Sequence, residues 1–267
     1  MAGVAFSPDG NAILTCSWDK TAKLLDKITG ATIQTFVSDT AIYDIAISPD
    51  GQTLITGNAN NMATLWNVAD GQPLRTFNEH IFDVFSVAFS PNGQQIVTGS
   101  FDKTAKLWNK TGGPSIQTFR DHTEQISSVC FSPDGQYILT GSWDHTAKLW
   151  ETATGKEIRT YTGHIEDIYA VAFAPDGQSI LTSSWDRTAK LWEINSEAEI
   201  QSFKGHQKPI SAIAFSPDGQ SILTGSKDME AQVKLWQVNT HNIIQSKIDK
   251  LGAISEDVIE KTTWSTF

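Results

Sequence analysis

Val4-Ala-Phe-Ser-Pro-Asp-Gly10 returns five times down the chain: as IAISPDG from Ile45, VAFSPNG from Val87, VCFSPDG from Val129, VAFAPDG from Val171 and IAFSPDG from Ile213. The first interval is 41 residues and the other four are 42. A second phrase follows at a fixed distance, CSWDKTAKLL from Cys16, GSFDKTAKLW from Gly99, GSWDHTAKLW from Gly141 and SSWDRTAKLW from Ser183. Two phrases held in one register over the whole chain mean a single supersecondary unit used six times.

Each unit reads as four short strands. Ser-Pro-Asp-Gly is a turn, because Pro presets φ and Gly accepts the left-handed position that closes a hairpin. In the third unit Val87 and Phe89 bracket a small Ala88 before that turn, and Gln95 to Ser100 forms a second apolar strand. Thr104 to Trp108 alternates as a third strand, and Ser115 to Phe119 supplies the fourth, on the outer edge. Strands that are apolar on both faces require sheets stacked on sheets, and a closed set of such sheets is a β-propeller. The expected fold is therefore all-β, with six four-stranded antiparallel blades at about residues 2–36, 43–77, 85–119, 127–161, 169–203 and 211–247.

Residues 248–267 form a tail carrying Ile254, Val258, Ile259, Trp264 and Phe267. Ser255-Glu-Asp ahead of Val258 reads as a helix cap, so the tail is expected to be a short helix against the last blade or across the seam of the ring. No strand is left over to be shared between the two ends. Either six blades close by side-chain packing alone, or the repeats belong to a longer array.

The chain of 267 residues is 39% hydrophobic and 19% charged, enough apolar content for a core. Its formal charge of -10 argues against the concentrated positive footprint that nucleic acid requires. No apolar run approaches the roughly 18 residues of a membrane span, and Met1 to Gly10 lacks the marks of a secretory signal. Two cysteines make no disulfide framework. These features predict a cytoplasmic protein that binds neither nucleic acid nor membrane.

These residues resemble the WD40 repeat family over about residues 2–247: Gly-His, a variable loop, the VAFSPDG strand and turn, a strand ending in Ser-x-Asp, then Leu-Trp-Asp. The near-identity of the middle repeats resembles bacterial arrays. The last residue of the Trp-Asp pair has drifted to Asn67, Asn109, Glu151, Glu193 or Gln237. The resemblance implies a structural tetrad in four blades, formed by His80, Ser100, Asp102 and Trp108; His122, Ser142, Asp144 and Trp150; His164, Ser184, Asp186 and Trp192; and His206, Ser226, Asp228 and Trp236. In each, a hydrogen-bonded chain would run from the indole through the hydroxyl and imidazole to the carboxylate. A Ser/His/Asp catalytic reading is disfavoured by repetition, since catalysis needs one site with one oxyanion hole. Blade 1 has Leu25 in place of the Trp. Blade 2 has Asp39, Asn58 and Asn60 where His, Ser and Asp should stand, so these two blades are expected to be the least stable.

No metal site is expected, because the tetrad histidines sit 42 residues apart in different blades. No cofactor motif is present. Cys16 and Cys130 fill small-residue slots, His145 occupies a solvated turn position, and the Lys23, Lys106, Lys148 and Lys190 series reads as a solvated stripe. In the family, the face carrying the tetrad turns and the loops after Gly-His usually meets partners. That face would present Trp18, Tyr43, Phe85, Phe101, Trp143, Tyr169 and Trp185, with Asp83 and Asp167 beside them. Aromatics next to carboxylates suit a protein or peptide bearing Lys or Arg. The expected function is a non-enzymatic protein-interaction scaffold. Two alternatives stay open: a small-molecule-binding or enzymatic propeller using the central channel, where Asp44 and a few Ser interrupt an apolar lining, and a purely structural spacer.

Overall fold

The Ser-Pro-Asp-Gly turn closes the first hairpin of every repeat. In the computed structural model, which describes residues 3–226 and 233–238, the turn glycines Gly10, Gly51, Gly93, Gly135, Gly177 and Gly219 have φ between 68° and 73°. That region is open to glycine without a Cβ penalty. The preceding serine locks the loop from inside. Ser48 Oγ donates to Asp50 and accepts from the Thr53 N–H, and Ser90 does the same with Asn92 and Gln95.

Six antiparallel sheets result, each in meander order, and they form a six-bladed β-propeller. Five sheets have four strands. The sixth comprises Ile210–Phe215, Ser221–Ser226 and Val233–Gln237 among the described residues. Its expected outer strand and the tail at 248–267, with the predicted helix, lie outside the described residues. In blade 3 the second and third strands fall at Gln95–Ser100 and Ala105–Asn109. The outer strand is shorter than expected, Gln117–Phe119. Gly112, Gly113 and Pro114 lead into it, and the Ser115 N–H and hydroxyl turn to the Glu79 carboxylate instead of the ladder.

The core lies between blades rather than within them. The rear face of blade 3 (Val97, Ala105, Leu107, Phe119) meets the front face of blade 4 (Ile126, Val129, Phe131, Ile138, Trp150). The same pairing recurs between blades 4 and 5 and between blades 5 and 6. Because both faces of a blade are covered in this way, Thr53–Asn58 and Ser179–Ser184 are buried at every residue. Glycine permits the close approach: a Cβ on Gly141 would lie 2.6 Å from Val171 Cγ1 and 2.8 Å from Ile168 Cγ2 of the next blade.

The innermost strands are laced across the channel wall. Asp44 accepts hydrogen bonds from the Ser86 hydroxyl and Val87 N–H, Ser86 Oγ accepts from Val129 N, and Ser128 Oγ accepts from Val171 N. One polar residue on the inner strand of each of blades 2, 3 and 4 thus fixes the neighbouring blade at backbone level.

Candidate partner-binding face and channel mouth

In blades 3 to 5 the geometry is pinned by a buried relay. Trp108 Nε1 donates to Thr98 Oγ1 at 2.9 Å, Thr98 Oγ1 lies 2.7 Å from His80 Nε2, and His80 Nδ1 lies 2.7 Å from Asp102 Oδ2. With Nδ1 donating to the carboxylate, Nε2 is left to accept the threonine proton, so every group donates to the next. The arrangement repeats as Trp150–Thr140–His122–Asp144 and Trp192–Thr182–His164–Asp186. In blade 6, Trp236 and His206 both reach Thr224, while Asp228 lies outside the described residues.

The hydroxyl in this relay corrects the expectation from the sequence. It belongs to Thr98, Thr140, Thr182 and Thr224, not to Ser100, Ser142, Ser184 and Ser226. The cause is strand register. Trp108 sits opposite Ile96, so its indole reaches diagonally to Thr98 on the same face, two residues short of the turn. Ser100 instead donates to Phe82 O and accepts from Asp102 N, and Ser142 and Ser184 do the same with Glu124, Asp144, Glu166 and Asp186. The serine orients the carboxylate's turn, and the threonine carries the relay.

Burial raises the Asp102 carboxyl, but the His80 hydrogen bond and charge and the Thr104 hydroxyl outweigh it and hold the group at about 2. Asp144 and Asp186 are held well below the usual carboxylate range by the same balance with His122 and His164. The three histidine side chains are at most 1% exposed, so no substrate reaches them. Blade 2 keeps only the first step, Trp66 Nε1 to Thr56 Oγ1, and the Asn58 amide turns to Thr64.

The seven aromatics singled out on the partner face form one connected cluster. Trp18 contacts Tyr43, Tyr43 contacts Phe85, Phe85 stacks on Phe101 with centroids 4.8 Å apart, and Phe101 contacts Trp143. A branch runs from Phe85 to Tyr169 and on to Trp185. Trp18 and Trp185 are exposed, whereas the other five are half-buried against each other. The two carboxylates are engaged: Asp83 accepts from the Tyr43 hydroxyl, and Asp167 lies 3.5 Å from His145 Nε2. Burial raises the Asp167 pKa above its ordinary value. His145 is therefore paired with that carboxylate, and it holds the left-handed turn position at φ 71°.

The lysine series departs from expectation in blades 3 to 5. Lys106 is buried against Thr118 and 3.8 Å from Glu79. Lys148 bonds to Glu157 and Thr160 over the Trp150 ring, and Lys190 pairs with Glu199 over Trp192. Aliphatic stems pack on the strand while the ammonium finds a carboxylate, on the outer strand in blades 4 and 5 and in the loop ahead of blade 3 for Lys106. Only Lys23 is solvated as expected. Burial pushes the thiols of Cys16 and Cys130 up to about 12, which keeps both protonated and inert.

Below the aromatic face the channel opens into a cavity of about 470 Å3. Trp18, Tyr43, Phe85 and Tyr169 line it with Ser86, Ser127, Ser128 and Ser211, and Asp44 is recessed in its wall. Burial raises the Asp44 carboxyl to about 6 against three hydrogen-bond donors, Val87 N, Ile45 N and Ser86 Oγ. No ion pair among the described residues involves it. The sequence reading passed over Asp44 as an exception in an apolar lining. It also missed Ile81, Phe82 and Ile165, which are exposed on the same face immediately after the relay histidines. Apolar residues in a loop slot held elsewhere by Thr123, Glu124, Gln207 and Lys208 were the available signal.

A ring of sheets, three of them pinned by a complete tryptophan-to-aspartate relay and neighbouring blades joined face to face by one repeated interface, defines a repeat-built propeller. The family model described as WD domain, G-beta repeat matches residues 2–26, 30–67, 71–109, 113–151, 155–193 and 197–237, and the chain belongs to this WD40 family, whose propellers are typically non-enzymatic protein-interaction scaffolds. No curated protein matches the chain. Among the described residues no helix is long and apolar enough to cross a membrane, and no cluster of three or more His, Cys, Asp or Glu could hold a metal ion.

Proposed function

We propose that this propeller is a non-enzymatic protein-interaction module that takes a Lys- or Arg-bearing peptide through the channel mouth, one cationic side chain entering the cavity. The observation that carries the reading is Asp44, a recessed carboxylate raised to about 6 by burial, without an ion pair among the described residues, behind a mouth of four aromatic rings. A carboxylate so placed gains from an incoming cation the charge compensation that the wall does not supply. The rings of Trp18, Tyr43, Phe85 and Tyr169 give the aliphatic stem an apolar collar and the cation a π face. Exposed Ile81, Phe82 and Ile165 extend the contact to flanking residues of the peptide. The hydrophilic lining is one carboxylate with serine and tyrosine hydroxyls, which suits holding a ligand rather than transforming one.

Fluorescence titration of Lys- and Arg-containing peptides against the parent chain and Asp44→Asn tests this. The variant is expected to lose about tenfold or more in affinity, equal to about 1.4 kcal/mol. Parent affinity should fall as pH drops through about 6, where the carboxyl protonates. Equal binding by parent and variant, or a preference for acidic peptides, overturns the proposal.

A further inference from the structure

In an antiparallel meander the Ser-Pro-Asp-Gly turns and the tetrad turns close opposite ends of each blade, so the propeller has a second end, away from the aromatic cluster. At that end a groove of about 670 Å3 runs between blades 1 and 2. One wall is drawn from Ser7 to Ile33 and the other from Ile47 to Val68. Its floor is apolar: Ala12 and Leu24 are buried, and Ile47 and Val68 pack against the same core cluster. Ile33 forms the outer lip at 57% exposed, and Ile28, in the turn just beyond the lining Asp26, is 86% exposed.

The other repeats show what usually stands in this place. Between blades 3 and 4 the matching groove is about 400 Å3, and Gln95 and Thr152 occupy the positions of Ala12 and Val68. Ile28 likewise takes a turn position held by Ala69, Thr111, Ala153 and Asn195 in the next four blades. At this one pair of blades the groove is therefore wider, its floor has lost two polar side chains, and its edge has gained an apolar one. Contiguous apolar surface of this kind, rimmed by polar groups, marks a contact site.

The rim is acidic. Asp9, Asp26 and Asp50 line the groove, and no Lys or Arg does. Hydrogen bonds from the Ser7 hydroxyl, the Thr29 backbone and the Ser48 hydroxyl hold the three carboxyls below their ordinary value, so all three are ionised at neutral pH. Lys110 stands 3.5 Å from Asp50, and Lys27 acts on Asp26 without ion-pair contact. Asp9 has no cation partner among the described residues.

We propose that this groove docks a basic segment of a partner protein, one whose apolar side chain is flanked by Lys or Arg. The apolar side chain would lie on Leu24 and Val68 inside the lip formed by Ile33, and the flanking cations would meet the three aspartates. Charge decides between occupants. A second copy of this chain, with formal charge -10, and a nucleic acid would both bring anionic surface to three carboxylates, whereas a basic segment gains from them. The site is independent of the channel mouth, which opens at the other end of the ring.

Fluorescence anisotropy of a labelled peptide of alternating Leu and Arg, with hydrogen exchange to map its footprint, tests this. The parent chain is expected to bind the peptide and to slow exchange at 7–12, 24–33 and 47–53. Ala12→Gln with Val68→Thr installs the residues that blades 3 and 4 already carry and leaves every charge in place. It should lower affinity by about tenfold or more and erase that footprint, which nonspecific attraction to an acidic protein would not do. Asp26→Asn, matching Asn67 and Asn109 of the next two blades, should weaken binding as well. Asp44→Asn should leave the groove footprint intact, which separates this site from the channel mouth. Absence of binding, a footprint confined to other surfaces, or equal affinity in the double variant or for a peptide with Glu in place of Arg overturns the proposal. Protection of the groove in the free chain that is lost on dilution, or on deletion of 248–267, would assign it to a second copy or to the chain's own tail and overturn it too.

Discussion

Exchanging Thr140 for valine separates the relay hydroxyl from the serine that sequence comparison placed there. Valine keeps the branched shape, so packing beside Trp150 is preserved while two hydrogen bonds are lost. One comes from Trp150 Nε1 at 2.9 Å and the other joins His122 Nε2 at 2.7 Å. Both partners are buried, and an orphaned buried polar group costs about 1–3 kcal/mol, so Thr140→Val should destabilise by about 2–6 kcal/mol. Ser142→Ala breaks two turn contacts of 3.1 Å, to Glu124 O and from Asp144 N, at the blade's edge. Its cost should be about 1–1.5 kcal/mol. Denaturant midpoints at constant m-value give the comparison, and hydrogen exchange of Tyr137–Ser142 localises it to blade 4. If Ser142→Ala costs as much as Thr140→Val, the relay assignment is wrong.

Two further expectations concern pH and the order of unfolding. The Asp44 carboxyl is raised from 3.8 to about 6, so the native state holds its proton more tightly than the unfolded chain. Its contribution is full below pH 4 and is lost as pH rises through 6, by up to roughly 3 kcal/mol. Asp44→Asn should remove that component from the pH dependence of the melting temperature, and an unchanged profile would contradict it. Asp102, Asp144 and Asp186 act with the opposite sign, stabilising above the unfolded value of 3.8 and losing this as pH falls toward 2. Blades 1 and 2, without a complete relay, should exchange their strand amides faster than blade 4, and equal rates in blades 2 and 4 would refute a stabilising role for the relay.

Periodic features were legible in the sequence, and features that depend on register were less so. Six units, their turn glycines and the inner three strands of each follow from phrases repeated at one spacing, because a repeat averages out local ambiguity. The tetrad serines were misplaced for a physical reason. Ser100 and Thr98 are two residues apart on one face, and nothing in composition says which hydroxyl the indole reaches until Trp108 is paired with Ile96. The lysine stripe failed similarly. Alternation reads Lys148 as solvated, but the covering carboxylate, Glu157, comes from the next strand and depends on pairing. The aromatic face could be read because its positions recur once per blade. Asp44 was underweighted because it occurs in only one.

That contrast bears on how a chain of near-identical repeats acquires one functional direction. Relay, turn and interface residues recur and hold each blade at the same angle, so any face built from them alone would repeat around the axis. Asymmetry enters where the repeats differ on the inner strands: Asp44 in blade 2, Ser86 and Ser128 in blades 3 and 4, Ala170 and Ala212 in blades 5 and 6. The same gradient is structural, since the acid and the two serines lace neighbouring backbones and the alanines do not. The carboxylate and the serines that bond across blades thus gather on the laced side of the channel, at blades 2 to 4, while the aromatic rings from Trp18 to Tyr169 spread around the mouth. A ligand cation held at Asp44 would therefore enter the channel on its laced side, and that one acid, rather than the repeated relay, gives the ring its direction.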